Sequence, residues 1–257
     1  MVSSLCACLK DEPVNREEEQ QPQEQQPVSY VLGTPVSYDT GIDGLSAICL
    51  SETGGSLLAA QDNGCVLEFD FEGNLLSDNA MPNPDGRAKV DLEGITISGD
   101  GSIYMCEERF REVWKLSADH KAITLISDAG PREDQNEDNQ GYEGIAAGPD
   151  GILYVANQSK PFRVYTYSLV TGTWGTAFDV SGAKSLSDIF YDGDDGTLWI
   201  TDAKTQRLTQ FRPDGTLLQS IDISFVSKPE GYCKDSARHL MWFVCDKTNK
   251  IYKVSYN

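Results

Sequence analysis

Tyr142-Glu143-Gly144-Ile145 leads through the turn Pro149-Asp150-Gly151 into the apolar run Leu153–Ala156, and then into Arg163-Val164-Tyr165-Thr166-Tyr167. Short β-rich runs parted by an Asp-Gly turn read as hairpins. The same order recurs along the chain. Ile42-Asp43-Gly44-Leu45, Leu92-Glu93-Gly94-Ile95, Leu186-Ser187-Asp188-Ile189 and Pro229-Glu230-Gly231-Tyr232 are its counterparts, with third positions at 44, 94, 144, 188 and 231 and steps of 50, 50, 44 and 43 residues. Each is followed by a turn such as Gly54-Gly55 or Gly99-Asp100-Gly101 and by a second apolar run: Leu57–Ala60, Ile103–Cys106, Leu198–Thr201 and Trp242–Cys245. A unit of this length with four short strands is a propeller blade. Five units predict an all-β, five-bladed β-propeller of four-stranded antiparallel blades. The last unit reaches its third strand at Asn257, and Val28–Tyr38 offers a spare strand ahead of the first unit. Pairing that strand into the last blade closes the ring and leaves no long open edge. The organisation expected is a polar tail over residues 1–27 and a propeller over residues 28–257.

In such a ring the start of strand one and the end of strand two of every blade open on one face. Before the repeat glycine stand Asp43, Glu93, Glu143, Ser187 and Glu230. At the ends of the second strands stand Gln61, Glu107, Asn157, Asp202 and Asp246. Converging carboxylates need protons, a cationic partner or a metal to offset their repulsion. A hard cation suits an all-oxygen set, Ca²⁺ first with its six to eight ligands, and Mg²⁺ as the alternative. Glu93, Glu143, Glu230, Glu107 and Asp202 are the candidate metal residues. Two other readings stay open: carboxylates that cap neighbouring backbone amides, and a network neutralised by Arg109.

Asn139-Gln-Gly-Tyr-Glu-Gly-Ile-Ala146, Asp91-Leu-Glu-Gly-Ile95, Cys106-Glu-Glu-Arg109 and Pro229-Glu-Gly231 resemble the SdiA-regulated family of bacterial five-bladed propellers, relatives of NHL-repeat proteins. The resemblance covers most of residues 38–257. It implies calcium binding, often a membrane-anchored place outside the cytoplasm, and no established activity. Glu93, Glu143 and Glu230 are the metal-site residues that it implies.

Lys and Arg number 21 against 40 Asp and Glu, a net charge of -19. Such a polyanion repels phosphate backbones, which argues against nucleic acid as a partner. The sequence contains no Gly-x-Ser-x-Gly elbow, His-Glu-x-x-His, P-loop or Gly-x-Gly-x-x-Gly. Its two histidines, His120 and His239, fall in turns, so a His-based triad has no support. The expectation is a monomeric binding module for a protein or small molecule at the channel mouth. The alternative is a metal-dependent hydrolase or lactonase at that mouth, drawing on Asn157 and Asp202. Of seven cysteines, Cys49, Cys65, Cys106, Cys233 and Cys245 sit in or beside strand-like runs and read as buried thiols, with a Cys233–Cys245 bridge as the alternative. Leu5-Cys6-Ala7-Cys8 resembles the end of a bacterial lipoprotein signal. A lipidated Cys8 would make the chain a cell-envelope lipoprotein on a tether rich in Glu, Gln and Pro, touching the membrane only through that anchor; otherwise it is cytoplasmic.

Overall fold

The computed structural model describes residues 30–81, 90–117, 119–128, 130–132 and 140–257. The tail with Cys6 and Cys8, the first residues of the expected closing strand and most of the acidic loop Asp128–Asn139 lie outside them. The chain opens with β1 (Val36–Asp39). Blade one follows as β2 (Leu45–Leu50), β3 (Leu57–Gln61), β4 (Cys65–Phe69) and β5 (Leu75–Ala80). Blade two is β6 (Leu92–Ile97), β7 (Ile103–Glu107), β8 (Glu112–Leu116) and β9 (Ile123–Ser127). Blade three is β10 (Tyr142–Ala147), β11 (Ile152–Asn157), β12 (Arg163–Ser168) and β13 (Thr173–Asp179). Blade four is β14 (Leu186–Asp192), β15 (Thr197–Asp202), β16 (Arg207–Phe211) and β17 (Leu217–Asp222). Blade five is β18 (Gly231–Asp235), β19 (Leu240–Cys245) and β20 (Lys250–Ser255), and β1 completes it by pairing antiparallel with β20. The described residues thus form five four-stranded sheets, as the repeats predict.

Alternation along the strands explains why the blades pack as a ring. Successive side chains point to opposite faces of a sheet, so each inner strand feeds two neighbours. Leu45 and Ile48 pack toward blade five, whereas Ala47 and Cys49 pack toward blade two. Every blade-to-blade interface carries its own apolar cluster in this way. Trp114, Trp199 and Trp242 are fully buried in them. The outer strands β5, β13 and β17 are half or more exposed and carry the polar surface.

The closing segment is longer than its regular strand. Val31 and Asn257 exchange backbone hydrogen bonds at 3.1 Å, and Gly33 N–H donates to Ser255 O at 2.8 Å. Tyr30 packs edge-on against Trp199 and Tyr256, and its hydroxyl lies 3.1 Å from Lys234 Nζ. Lys234 is itself buried in an ion pair with Asp192 of blade four. One aromatic side chain therefore ties the closing arm to two blades.

The register corrects the repeat alignment in two places. Strand one carries a bulge between Leu92 and Gly94, between Tyr142 and Gly144, between Leu186 and Asp188, and between Leu45 and Ala47. Blade one's counterpart of Leu92-Glu93-Gly94 is therefore Leu45-Ser46-Ala47, three residues beyond the expected Ile42-Asp43-Gly44. Asp43 is exposed and accepts a hydrogen bond from Asn249. In blade five, Gly231 faces Val244 as Gly94 faces Cys106, which makes Cys245 the counterpart of Glu107 and sets Asp246 one place later. The cysteines in the described residues are free thiols, Cys65 half-buried and the others buried, so Cys233 and Cys245 form no bridge.

Candidate metal centre

Neighbouring inner strands approach closely at the repeat glycines. A Cβ on Gly144 would lie 2.6 Å from Ile189 N, and one on Gly231 would lie 2.7 Å from Ala47 Cα. Glycine is required there because neighbouring backbones occupy the space of a side chain. The residues just before these glycines and Gly94 are Glu143, Glu230 and Glu93.

Asp62, Asp91 and Glu93 bring carboxylate oxygens within 4.8 Å of one another. Asp62 is the first residue after β3, Asp91 immediately precedes β6, and Glu93 occupies the β6 bulge. Asp62 is held by the Ser46 hydroxyl, from blade one's own bulge. Asp91 pairs with Arg109 Nη2 at 2.6 Å, the contact that the Arg109 alternative to a metal calls for. An ion about 2.4 Å from each of its oxygens keeps those oxygens within about 4.8 Å of one another, which is the Ca²⁺ range. The donor set is all oxygen, and it fits a hard divalent cation.

The surrounding electrostatics are those of crowded acids. Burial, reinforced by the charges of Asp62, Glu108, Asp91 and Glu230, pushes the Glu93 carboxyl well above its usual range. Glu143 rises for the same first reason, with Glu93, Glu108 and Glu230 adding to it. Burial raises Glu108 to about 7, and Glu108 shares a hydrogen bond with Glu143. Glu230 is also raised to about 7 by burial, opposed by Lys228 at 2.5 Å. Two carboxyl groups share a hydrogen bond only with a proton between them. Arg109 and Lys228 offset part of this charge, and without a metal ion protons must supply more of it.

The five residues expected from the sequence divide by environment. Glu93, Glu143 and Glu230 are the mouth carboxylates: the charge of Glu230 adds to the rise of both Glu93 and Glu143, and that of Glu93 to the rise of Glu143. Glu107 accepts the Asp91 amide at 3.3 Å and the Phe110 amide at 2.7 Å. Asp202 accepts the amides of Lys184, Lys204 and Thr205 at 2.7, 3.0 and 2.9 Å. Those bonds describe the capping alternative, in which strand-end carboxylates satisfy turn amides. Asp202 also lines a cleft of about 330 Å³ between blades three and four, with Leu186, Ile200, Arg207 and Phe211. Asn157 is committed as well: its amide group donates to Ser159 O and Pro161 O, and its oxygen accepts from Arg111. Both histidines lie in hairpin turns at positive φ, away from the mouth.

Asp62 escapes the sequence reading because it stands one residue past the strand end. The register places it level with Glu108 and Asp246, a partly acidic ring that also contains Gln158 and Ala203. Reading one position further along each second strand would have found it.

Several known structures share this fold. The streptogramin B lyase structure matches with a TM-score of 0.53 at 22% identity, over 89% of this chain and 72% of that one. A catalytically inactive virginiamycin B lyase from Staphylococcus aureus, determined with quinupristin, matches at 0.52 and 17%, over 82% of this chain and 66% of that one, so this chain spans about two thirds of its length. XC5397 from Xanthomonas campestris, a gluconolactonase, matches at 0.60 and 13%, over 82% and 71%. At these identities the likeness is one of fold. No curated protein matches the chain. The family model described as "Phytase-like: Esterase-like activity of phytase" matches residues 40–194, a segment that contains Asp62, Asp91, Glu93, Glu108 and Glu143. That segment is more than half of the sequence, and the chain belongs to this phytase-like family.

Proposed function

We propose that the channel mouth binds a divalent cation through Asp62, Asp91 and Glu93, and that the protein is a metal-dependent hydrolase of an ester or lactone. The observation that carries this reading is the meeting of those three carboxylates within 4.8 Å, inside the segment matched by an esterase-like family. The gluconolactonase among the fold neighbours supports the same class of substrate. The resemblance to SdiA-regulated propellers favours Ca²⁺ as the ion. A cation bound there would polarise the ester oxygen and lower the pKa of a coordinated water. The chain's own residues do the rest. Ser46 and Arg109 orient Asp62 and Asp91. The Glu108–Glu143 pair, with Glu108 near 7, can take up or release a proton at neutral pH beside the reacting group. A binding module without chemistry would share the cation site and lack turnover.

Hydrolysis of p-nitrophenyl phosphate, p-nitrophenyl acetate and gluconolactone, each with Ca²⁺, Mg²⁺ or EDTA, separates these readings. Cation-dependent turnover of at least one substrate, reduced by about 100-fold or more in Glu93→Gln, is expected. Cation binding with no turnover on any of them would leave the module and remove the enzyme.

A further inference from the structure

Blade four breaks the pattern of the channel ring. Where the other blades place Ala47, Gly94, Gly144 and Gly231, blade four places Asp188; where blades two, three and five place a glutamate, it places Ser187. Asp188 and Ser187 are 3% and 1% exposed. A buried carboxylate is costly unless its oxygens are hydrogen-bonded. Asp188 Oδ2 accepts the Tyr232 amide at 2.7 Å, and Oδ1 accepts the Ile189 amide at 2.8 Å. Ser187 Oγ donates to Pro229 O at 2.7 Å. The two cross-blade bonds therefore grip blade five one residue before Glu230 and two residues after it.

Glu230 itself carries an ion pair on the same segment. Lys228, half-exposed, pairs with its carboxylate at 2.5 Å. We infer that Ser187 and Asp188 are positioning residues: blade four contributes no glutamate to the mouth but fixes the backbone on both sides of Glu230, so that blade five can. The inference rests on the proposed cation site and adds Glu230 to its ligands.

Calcium titration by isothermal calorimetry on the full chain tests it. Asp188→Gly installs the residue that three other blades carry at this point. It is expected to remain folded by circular dichroism and to weaken Ca²⁺ binding by about tenfold, the size usual for residues that orient a ligand. Because the effect passes through Glu230, the same substitution in a Glu230→Gln background is expected to change affinity by less than about twofold. A purely structural role would lower the melting temperature and leave affinity alone, or would act equally in both backgrounds; either result overturns the inference. If Asp188→Gly does not fold, Ser187→Ala enters the same cycle with an expected loss of about threefold. Failure of the wild type to bind Ca²⁺ would remove the cation site and this inference with it. Binding by the wild type that is unaffected by Asp188→Gly would remove the inference alone.

Discussion

At the scale of single residues, the mouth is a problem in charge. Glu108 illustrates its sign. Its carboxyl titrates near 7 in the folded protein against an ordinary value of 4.5, because burial disfavours the ion. A raised acid pKa means that the folded state holds the proton longer, so this contribution to stability is present below about 4.5 and is lost as pH rises to about 7. Glu108→Gln has no such proton to lose and keeps an acceptor for the Gly141 amide. In EDTA, its stability relative to wild type is expected to increase by roughly 1–3 kcal/mol between pH 4.5 and 7.5, measured by urea unfolding at each pH. A difference independent of pH would show that Glu108 is ionised throughout. Glu93, Glu143 and Glu230 were legible in the sequence because the glycine that follows or abuts each marks the close approach of strands. Asp62 and Asp91 were not singled out, since no such neighbour marks them and folding alone brings them to Glu93.

At the scale of the strand and its turn, a second set of polar residues does structural work. Gln61, Glu107, Asn157 and Asp202 end the second strands of four blades, and each bonds backbone groups around the following turn or the adjoining strand entry. A carboxylate that accepts three amides, as Asp202 does, pairs two donors in the following turn and one at the strand entry beside it. Asp202→Ala is expected to lose about 1–3 kcal/mol of stability while leaving the thermal response to Ca²⁺ unchanged. Loss of that response in a folded Asp202→Ala protein would return Asp202 to the metal set. The sequence placed these residues at strand ends correctly in four blades, yet position alone cannot separate a cap from a ligand. The bulge in strand one is equally silent, because it adds one residue without changing the apolar pattern around it. That is why the repeat pattern aligns blade one three residues early, on Asp43-Gly44.

At the scale of the whole molecule, five blades hold together only if the ring is closed. The repeat spacing made the blade count legible, and the spare strand made the closure legible; Tyr30 and its place beside Lys234 and Trp199 were visible only in three dimensions. A chain beginning at Gly41 loses β1, Tyr30 and the Leu32–Tyr256 bridge. Relative to a chain beginning at Tyr30, it is expected to be less stable by more than about 3 kcal/mol and to aggregate through the exposed β20 edge. Equal melting of the two would show that the ring does not depend on this closure. The ring in turn is what holds Asp62 of blade one against Asp91 and Glu93 of blade two. The most direct measurement is therefore anomalous diffraction from a crystal of the protein grown in millimolar Ca²⁺. The account predicts one peak at the channel mouth, about 2.3–2.6 Å from an oxygen of each of Asp62, Asp91 and Glu93. A mouth without a peak, or a peak bound by none of these three, would contradict it.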